Sequence, residues 1–128
     1  MTKIQFWQER VRPAAEKCYL DEETYRLQYK CWRGLVLNQK DQELYDKKRE
    51  EYRDLFLPYK IQEMVISVEK WLKAKGDFGT SLESIQEVLS TLRRPMYFDL
   101  HFGETRSGEH CQNLLELREV LIEFWAKK

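Results

Sequence analysis

Histidine, cysteine, glycine, proline and net charge are all scarce in this chain, and each shortage removes a class of protein. Of 128 residues, two are histidine, three cysteine, three proline and five glycine. Cys18, Cys31 and Cys111 are odd in number and show no C-x-x-C spacing, which excludes a disulfide framework and a four-cysteine zinc site and leaves free, buried thiols. Twenty-two basic and twenty-two acidic residues cancel, so the chain lacks the overall attraction that dominates nucleic-acid affinity. No apolar run approaches the ~20 residues that a bilayer crossing needs. The N-terminal MTKIQFWQERVRP lacks the unbroken apolar stretch of a signal peptide, and a cytoplasmic location is expected. No repeat, low-complexity segment or linker divides the chain, which reads as a single domain, 1–128.

Aromatic residues, in contrast, are abundant: four Trp, seven Tyr and six Phe. They bring large apolar area together with polar handles, suited to a core or to a partner-binding face. Apolar residues fall at helical spacing along most of the chain. Residues 2 to 20 carry Ile4, Trp7, Val11 and Cys18 on one stripe, with Thr2 as N-cap and Pro13 as the site of a kink or of a restart near Arg12. The acidic DEET run at 21 to 24 opens a second helix bearing Tyr25, Tyr29, Trp32 and Val36, which Gly34 weakens without necessarily ending. Residues 39 to 57 alternate charge signs around a sparse apolar stripe and read as a solvated helix. Pro58 and Gly76 punctuate the next one. Thr80 and Glu83 have capping-box spacing ahead of a helix that stops before Pro95. A last helix runs from near Ser107 to the C-terminus.

Between the last two, Met96, Phe98, Leu100 and Phe102 alternate with Tyr97, Asp99 and His101, which is strand periodicity. A lone strand cannot satisfy its own backbone, so residues 96–102 read as an extended connector, with an edge that pairs with a partner as the alternative. The expected fold is all-α: a single-domain bundle of five or six helices with one short extended segment. Residues 32 to 58 are similar to a tetratricopeptide unit in an early aromatic and a closing proline, but lack the small residues where its helices touch, and no family assignment follows.

Reactive side chains crowd only at 93 to 111, RRPMYFDLHFGETRSGEHC. The glycine spacing there resembles a phosphate-binding loop, yet Glu109 and His110 occupy the positions where that motif needs Lys and Ser or Thr. Ser107 reads as a simple N-cap. A zinc ion would need His101, His110, Cys111 and Glu104 or Glu109 together, but adjacent His110 and Cys111 diverge on a helix. The two Glu-x-x-His pairs of a di-iron bundle are missing. A triad from Ser107 or Cys111 with His101 or His110 and Asp99 has no nucleophile elbow to support it. No cofactor, metal or catalytic residue is therefore assigned.

What remains is a small helical protein–protein interaction module, an adaptor, inhibitor, immunity-type protein or complex subunit, without catalysis of its own. Nucleic-acid binding through Lys47-Lys48-Arg49, Arg93-Arg94 and the basic residues of the tyrosine helix is the runner-up. An enzyme with a site around 97–111 comes third. A second copy of the chain is an alternative partner, and no membrane contact is expected. The partner surface is assigned to Tyr25, Tyr29, Arg33, Tyr97, Asp99, His101 and Arg106, because Tyr, Trp and Arg dominate interface hot spots. On this reading Tyr29 and Tyr97 project from the surface and contribute little to stability.

Overall fold

A computed structural model describes residues 1–103 and 106–127. Glu104, weighed above as a zinc ligand and as part of the glycine-flanked loop, lies outside the described residues. The elements in order are α1 (Lys3–Phe6), a π-helical turn (Trp7–Val11), α2 (Arg12–Glu16), α3 (Glu22–Trp32), α4 (Gln39–Tyr52), α5 (Phe56–Lys75), α6 (Ser81–Leu92), α7 (Tyr97–His101) and α8 (Glu109–Ala126). The first three are consecutive, so the described residues make a bundle of seven helices with no strand. No described helix is long and apolar enough to cross a membrane.

The first rod shows how the chain tolerates Pro13. A proline ring clashes with the carbonyl four residues back and offers no N–H to it. Here the backbone widens just before the proline, and the Arg12 N–H reaches Trp7 O, five residues back. The rod therefore runs through Pro13 by a π-bulge instead of a break. At its start Thr2 forms a full capping box with Gln5. Asp21 caps α3 by accepting from the Thr24 N–H at 2.8 Å.

The main core lies between the first rod, α5, α6 and α8. Trp7 is 0% exposed, and its ring meets Phe78 and Phe124 edge-on at 6.3 Å each, while those two meet at 5.3 Å. Its indole N–H donates to Glu69 Oε1 at 3.1 Å, and Arg12 holds the same oxygen at 3.4 Å. Burial of this large ring thus leaves no polar atom stranded. A smaller second core of Leu20, Leu55 and Tyr59, flanked by Tyr25, Tyr45 and Tyr52, fastens the α3–α4 hairpin to the base of α5. Its tyrosine hydroxyls end on polar partners: Tyr45 donates to Gln28 Oε1 at 2.8 Å and Tyr52 to Asp21 Oδ2 at 3.0 Å. Helix α4 buries no residue of its own, as its alternating charges imply.

Several local expectations are corrected. Residues 96–102 are not extended: α7 occupies Tyr97–His101. Bonds from Leu100 N–H to Met96 O (2.8 Å) and from Phe102 N–H to Phe98 O (2.9 Å) satisfy the backbone locally, which a single strand could not do. Helical pairing buries Tyr97, Phe98 and Phe102 together and leaves Met96 and Leu100 exposed, so the apparent alternation was not the buried pattern. Thr80 forms no capping box, since its backbone is already helical. The turn into α6 is closed by the Ser81 N–H and hydroxyl, both donating to Phe78 O. The N-cap of α8 is Gly108, not Ser107.

Gly79, at φ +50°, lies so close under the Trp71 ring that a β-carbon would overlap ring atoms. Gly79→Ala is expected to destabilise the protein by roughly 1–3 kcal/mol, read from urea denaturation; an unchanged midpoint would mean that Trp71 moves aside freely. A second prediction concerns acid. Burial opposes ionisation of Asp21, but bonds from Thr24, Lys48 and Tyr52 outweigh it and hold its pKa down at about 2 against an ordinary 3.8. A depressed carboxylate contributes stability that is complete above its unfolded pKa and lost as pH falls through the folded one. Asp21→Asn should therefore flatten the dependence of unfolding free energy on pH between those values, with parallel curves there counting against this role.

Candidate functional site

The site is built at the corner between α4 and α5. Helix α4 ends at Arg53, whose backbone sits at φ 66°, ψ −39°, a region that a residue with a side chain occupies at a cost of about 1–3 kcal/mol. The turn it makes delivers Asp54 to the start of α5. There Oδ1 accepts from the Phe56 N–H at 3.0 Å and Oδ2 from the Leu57 N–H at 3.4 Å, while Oδ2 also accepts from the Tyr97 hydroxyl at 2.6 Å. One carboxylate thus caps α5 and pins α7 to it. Burial, with the adjacent Asp54 charge, pushes the Tyr97 phenol far above its ordinary value. It is a fixed donor, not an acid or a nucleophile.

Between this corner and the α6–α7 turn runs an open groove of about 610 Å³. Asp54 and Phe56 from the corner, Tyr97 and His101 from α7, and Glu87, Ser90, Thr91 and Arg94 from α6 and the turn after it line the groove. Most of its polar groups are already engaged. Glu87 Oε1 meets Lys60 Nζ at 3.3 Å, and the Thr91 hydroxyl donates to the Glu87 carbonyl at 3.1 Å. His101 lies against the Tyr97 ring at 4.8 Å; no bond among the described residues joins it to a hydroxyl. Arg94 has no carboxylate partner among the described residues.

Phe56 continues the groove onto an aromatic ladder. Tyr25 stacks on Tyr59 at 5.2 Å, Tyr59 on Trp32 at 5.7 Å, and Trp32 tilts over Phe56 at 5.1 Å. The ladder is tied down at one end by the bond from Tyr25 to Glu63 and overlaid by Lys60, 5.6 Å from Trp32 and 5.7 Å from Phe56. At the other end it emerges into solvent: Trp32 is 48% exposed and Phe56 39%. Gly34, at φ 72°, ends α3 after Trp32, with Leu35 N–H bonded to Lys30 O and Gly34 N–H to Cys31 O. This double bond pattern needs a left-handed residue just past the helix, which glycine supplies. Gly34 therefore terminates α3 and does not merely weaken it. It sends Leu35 and Val36 outward, Val36 95% exposed.

No family model, curated protein or solved structure matches the chain.

Of the residues assigned from sequence, Tyr25, Tyr29 and Arg33 lie together on and beside the ladder, with the Arg33 guanidinium 5.0 Å from the Tyr29 ring. Tyr97 and His101 face the groove that begins at Phe56. Asp99 and Arg106 form an ion pair of their own on the surface and do not line it. Tyr97 is corrected: at 6% exposure it belongs to the core. Sequence reasoning missed Trp32, Asp54, Phe56, Lys60, Glu87 and Thr91 as members of the site. Asp54 carried a legible signal, an aspartate just before a helix, but the helix start was sought at Pro58, and Pro58 lies inside the first turn where its missing N–H is harmless.

His110 and Cys111 lie apart from the groove, along a smaller hollow of about 240 Å³ that Tyr52 and Phe102 also line. The His110 ring sits 5.7 Å from Tyr52 and 5.8 Å from Phe102. Burial lowers its pKa, with the Asp54 charge acting against that. Burial likewise raises the thiols of Cys18, to about 12, and of Cys111, away from the thiolate form that nucleophilic or metal chemistry uses. No group of three metal-ligating side chains occurs among the described residues.

Tyr97→Ala is expected to cost about 3–5 kcal/mol through the cavity and the unpaired Asp54. Tyr97→Phe should cost only about 1 kcal/mol, since two backbone donors remain on Asp54. Thermal and urea midpoints of the two variants check this; equal losses would refute the hydroxyl's modest share.

Proposed function

We propose that the protein is an interaction module without catalysis of its own, binding a protein partner through the exposed end of the aromatic ladder and the adjoining groove. The observation that carries this reading is the pairing of Trp32 and Phe56 in solvent, beside exposed Leu35 and Val36. Exposed apolar groups of this size collected at one end of a helix mark contact surfaces, and rigid aromatics are the commonest anchors of such contacts. The polar groups of the groove support recognition over reaction. Asp54 and Glu87 are held by internal partners, Tyr97 is locked as a donor, and a general base needs a proton within hydrogen-bond reach.

Nucleic acid is the second reading, favoured by stacking-ready rings beside Arg33. Against it, Arg26 and Lys30 both turn to Asp41, at 3.9 and 3.5 Å, so one carboxylate offsets part of the basic face anticipated on the tyrosine helix. We place the interaction in the cytoplasm, with a second copy of the chain as the alternative partner.

The test is affinity capture from the native organism with the wild-type protein and with a Trp32→Ser/Val36→Asp variant as baits. Both changes sit on exposed positions and should leave the thermal midpoint within a few degrees. A protein held by the wild type and lost from the variant is the expected result. Identical captured sets would sink the reading.

A further inference from the structure

Resting on that interaction reading, we infer that the groove and its aromatic edge receive an acidic, apolar-bearing segment of a protein partner, with carboxylates on Arg94 and Arg33 and an apolar side chain on Trp32 and Phe56. The argument is a local charge inventory. Glu87 is paired with Lys60 and Asp41 with both Arg26 and Lys30, while Asp54 and Glu63 keep their charge and are held by hydrogen bonds from Tyr97, two amides and Tyr25. Two exposed guanidiniums are left over, Arg94 on the groove wall and Arg33 over the Tyr29 ring, and neither has a carboxylate in ion-pair reach among the described residues. Of the groups named here five are cationic and four anionic, so the local balance leans positive. Guanidinium is the side chain best shaped for paired bonds to carboxylates, and it keeps its charge at any relevant pH.

The same inventory disfavours the other occupants. Nucleic-acid affinity grows with each phosphate neutralised, and the lining of the groove supplies Arg94 alone among lysines and arginines. A symmetric contact between two copies would bring the patch against itself, setting unpaired arginines near like charges. An acidic segment with aromatic or aliphatic side chains meets both halves of the surface at once.

The test is fluorescence anisotropy with a short labelled peptide in which Asp and Glu are interspersed with Leu and Phe. Its comparators are the same peptide with Asn and Gln in place of the acids, and a single-stranded DNA oligonucleotide. The acidic peptide is expected to bind at least about tenfold tighter than the neutral one, as charge-assisted bonds require. Arg94→Glu and Arg33→Glu should each weaken it about tenfold, with unchanged thermal midpoints, and Trp32→Ser should weaken both peptides. Acidic and neutral peptides binding alike, or the oligonucleotide binding in preference, overturns the inference, as does a dimer in sedimentation that Arg94→Glu dissolves. Capture with an Arg94→Glu bait separates the two claims. A partner lost with Trp32→Ser/Val36→Asp but retained with Arg94→Glu would leave the interaction module standing and remove the acidic segment.

Discussion

The Asp54 carboxylate is the constraint on which the site depends. It takes hydrogen bonds from the Phe56 and Leu57 amides and from the Tyr97 hydroxyl, and so fixes three things at once: where α5 begins, how the chain turns out of α4, and how α7 seats against both. The left-handed backbone at Arg53 is the strain that this arrangement offsets. Because α5 begins at Phe56, that ring stands at the rim of the groove and against Trp32. Move the helix start by one residue and the side chain would rotate by about 100° around the axis, away from the ladder. The proposed recognition surface is thus a consequence of how a helix terminus satisfies its free amides.

The helical plan was legible because helices announce themselves locally. Thr2 and Asp21 stood where caps should stand, Gly76 where a helix should end, and the apolar stripes of α5, α6 and α8 repeated at helical spacing. What stayed hidden depended on contacts between distant residues. Alternation at 96–102 resembled a strand because period two and a short helical turn can share the same few apolar positions. The decision lay with Tyr97, whose hydroxyl has a partner forty-three residues away. Thr80 and Ser107 had the right chemistry for caps but the wrong backbone, the first already helical and the second one residue too early.

The surface assignment divided in the same way. Tyr29 and Arg33, assigned to the surface from sequence, stand exposed at the end of α3, whereas Trp32 read only as part of that helix's apolar stripe, because the left-handed turn at Gly34 that ends the helix beside it was not legible. Tyr97 was misread, because an aromatic in a loop-like segment gives no sign of which neighbours will cover it. Phe56 was hidden by the proline that follows it. A proline suits the first turn of a helix at more than one position; here Pro58 is the third residue of α5, and Phe56, two residues before it, forms half of the exposed pair.

The ladder also bears on how so small a chain could offer the proposed binding surface. Ordering a flexible side chain at an interface costs about 0.5–1.5 kcal/mol each, and aromatic rings, with two rotatable bonds, lose less than long polar chains. Here the rings are ordered beforehand: Tyr59 is clamped between Tyr25 and Trp32, Tyr25 is bonded to Glu63, and Lys60 covers Trp32 and Phe56 while tied to Glu87 on α6. The outermost rings inherit that order without being buried themselves. Such a surface is ordered where the proposed apolar contact would form and carries the exposed guanidiniums of Arg33 and Arg94 at its margins, an arrangement in which apolar shape would supply binding energy and charge would select the partner.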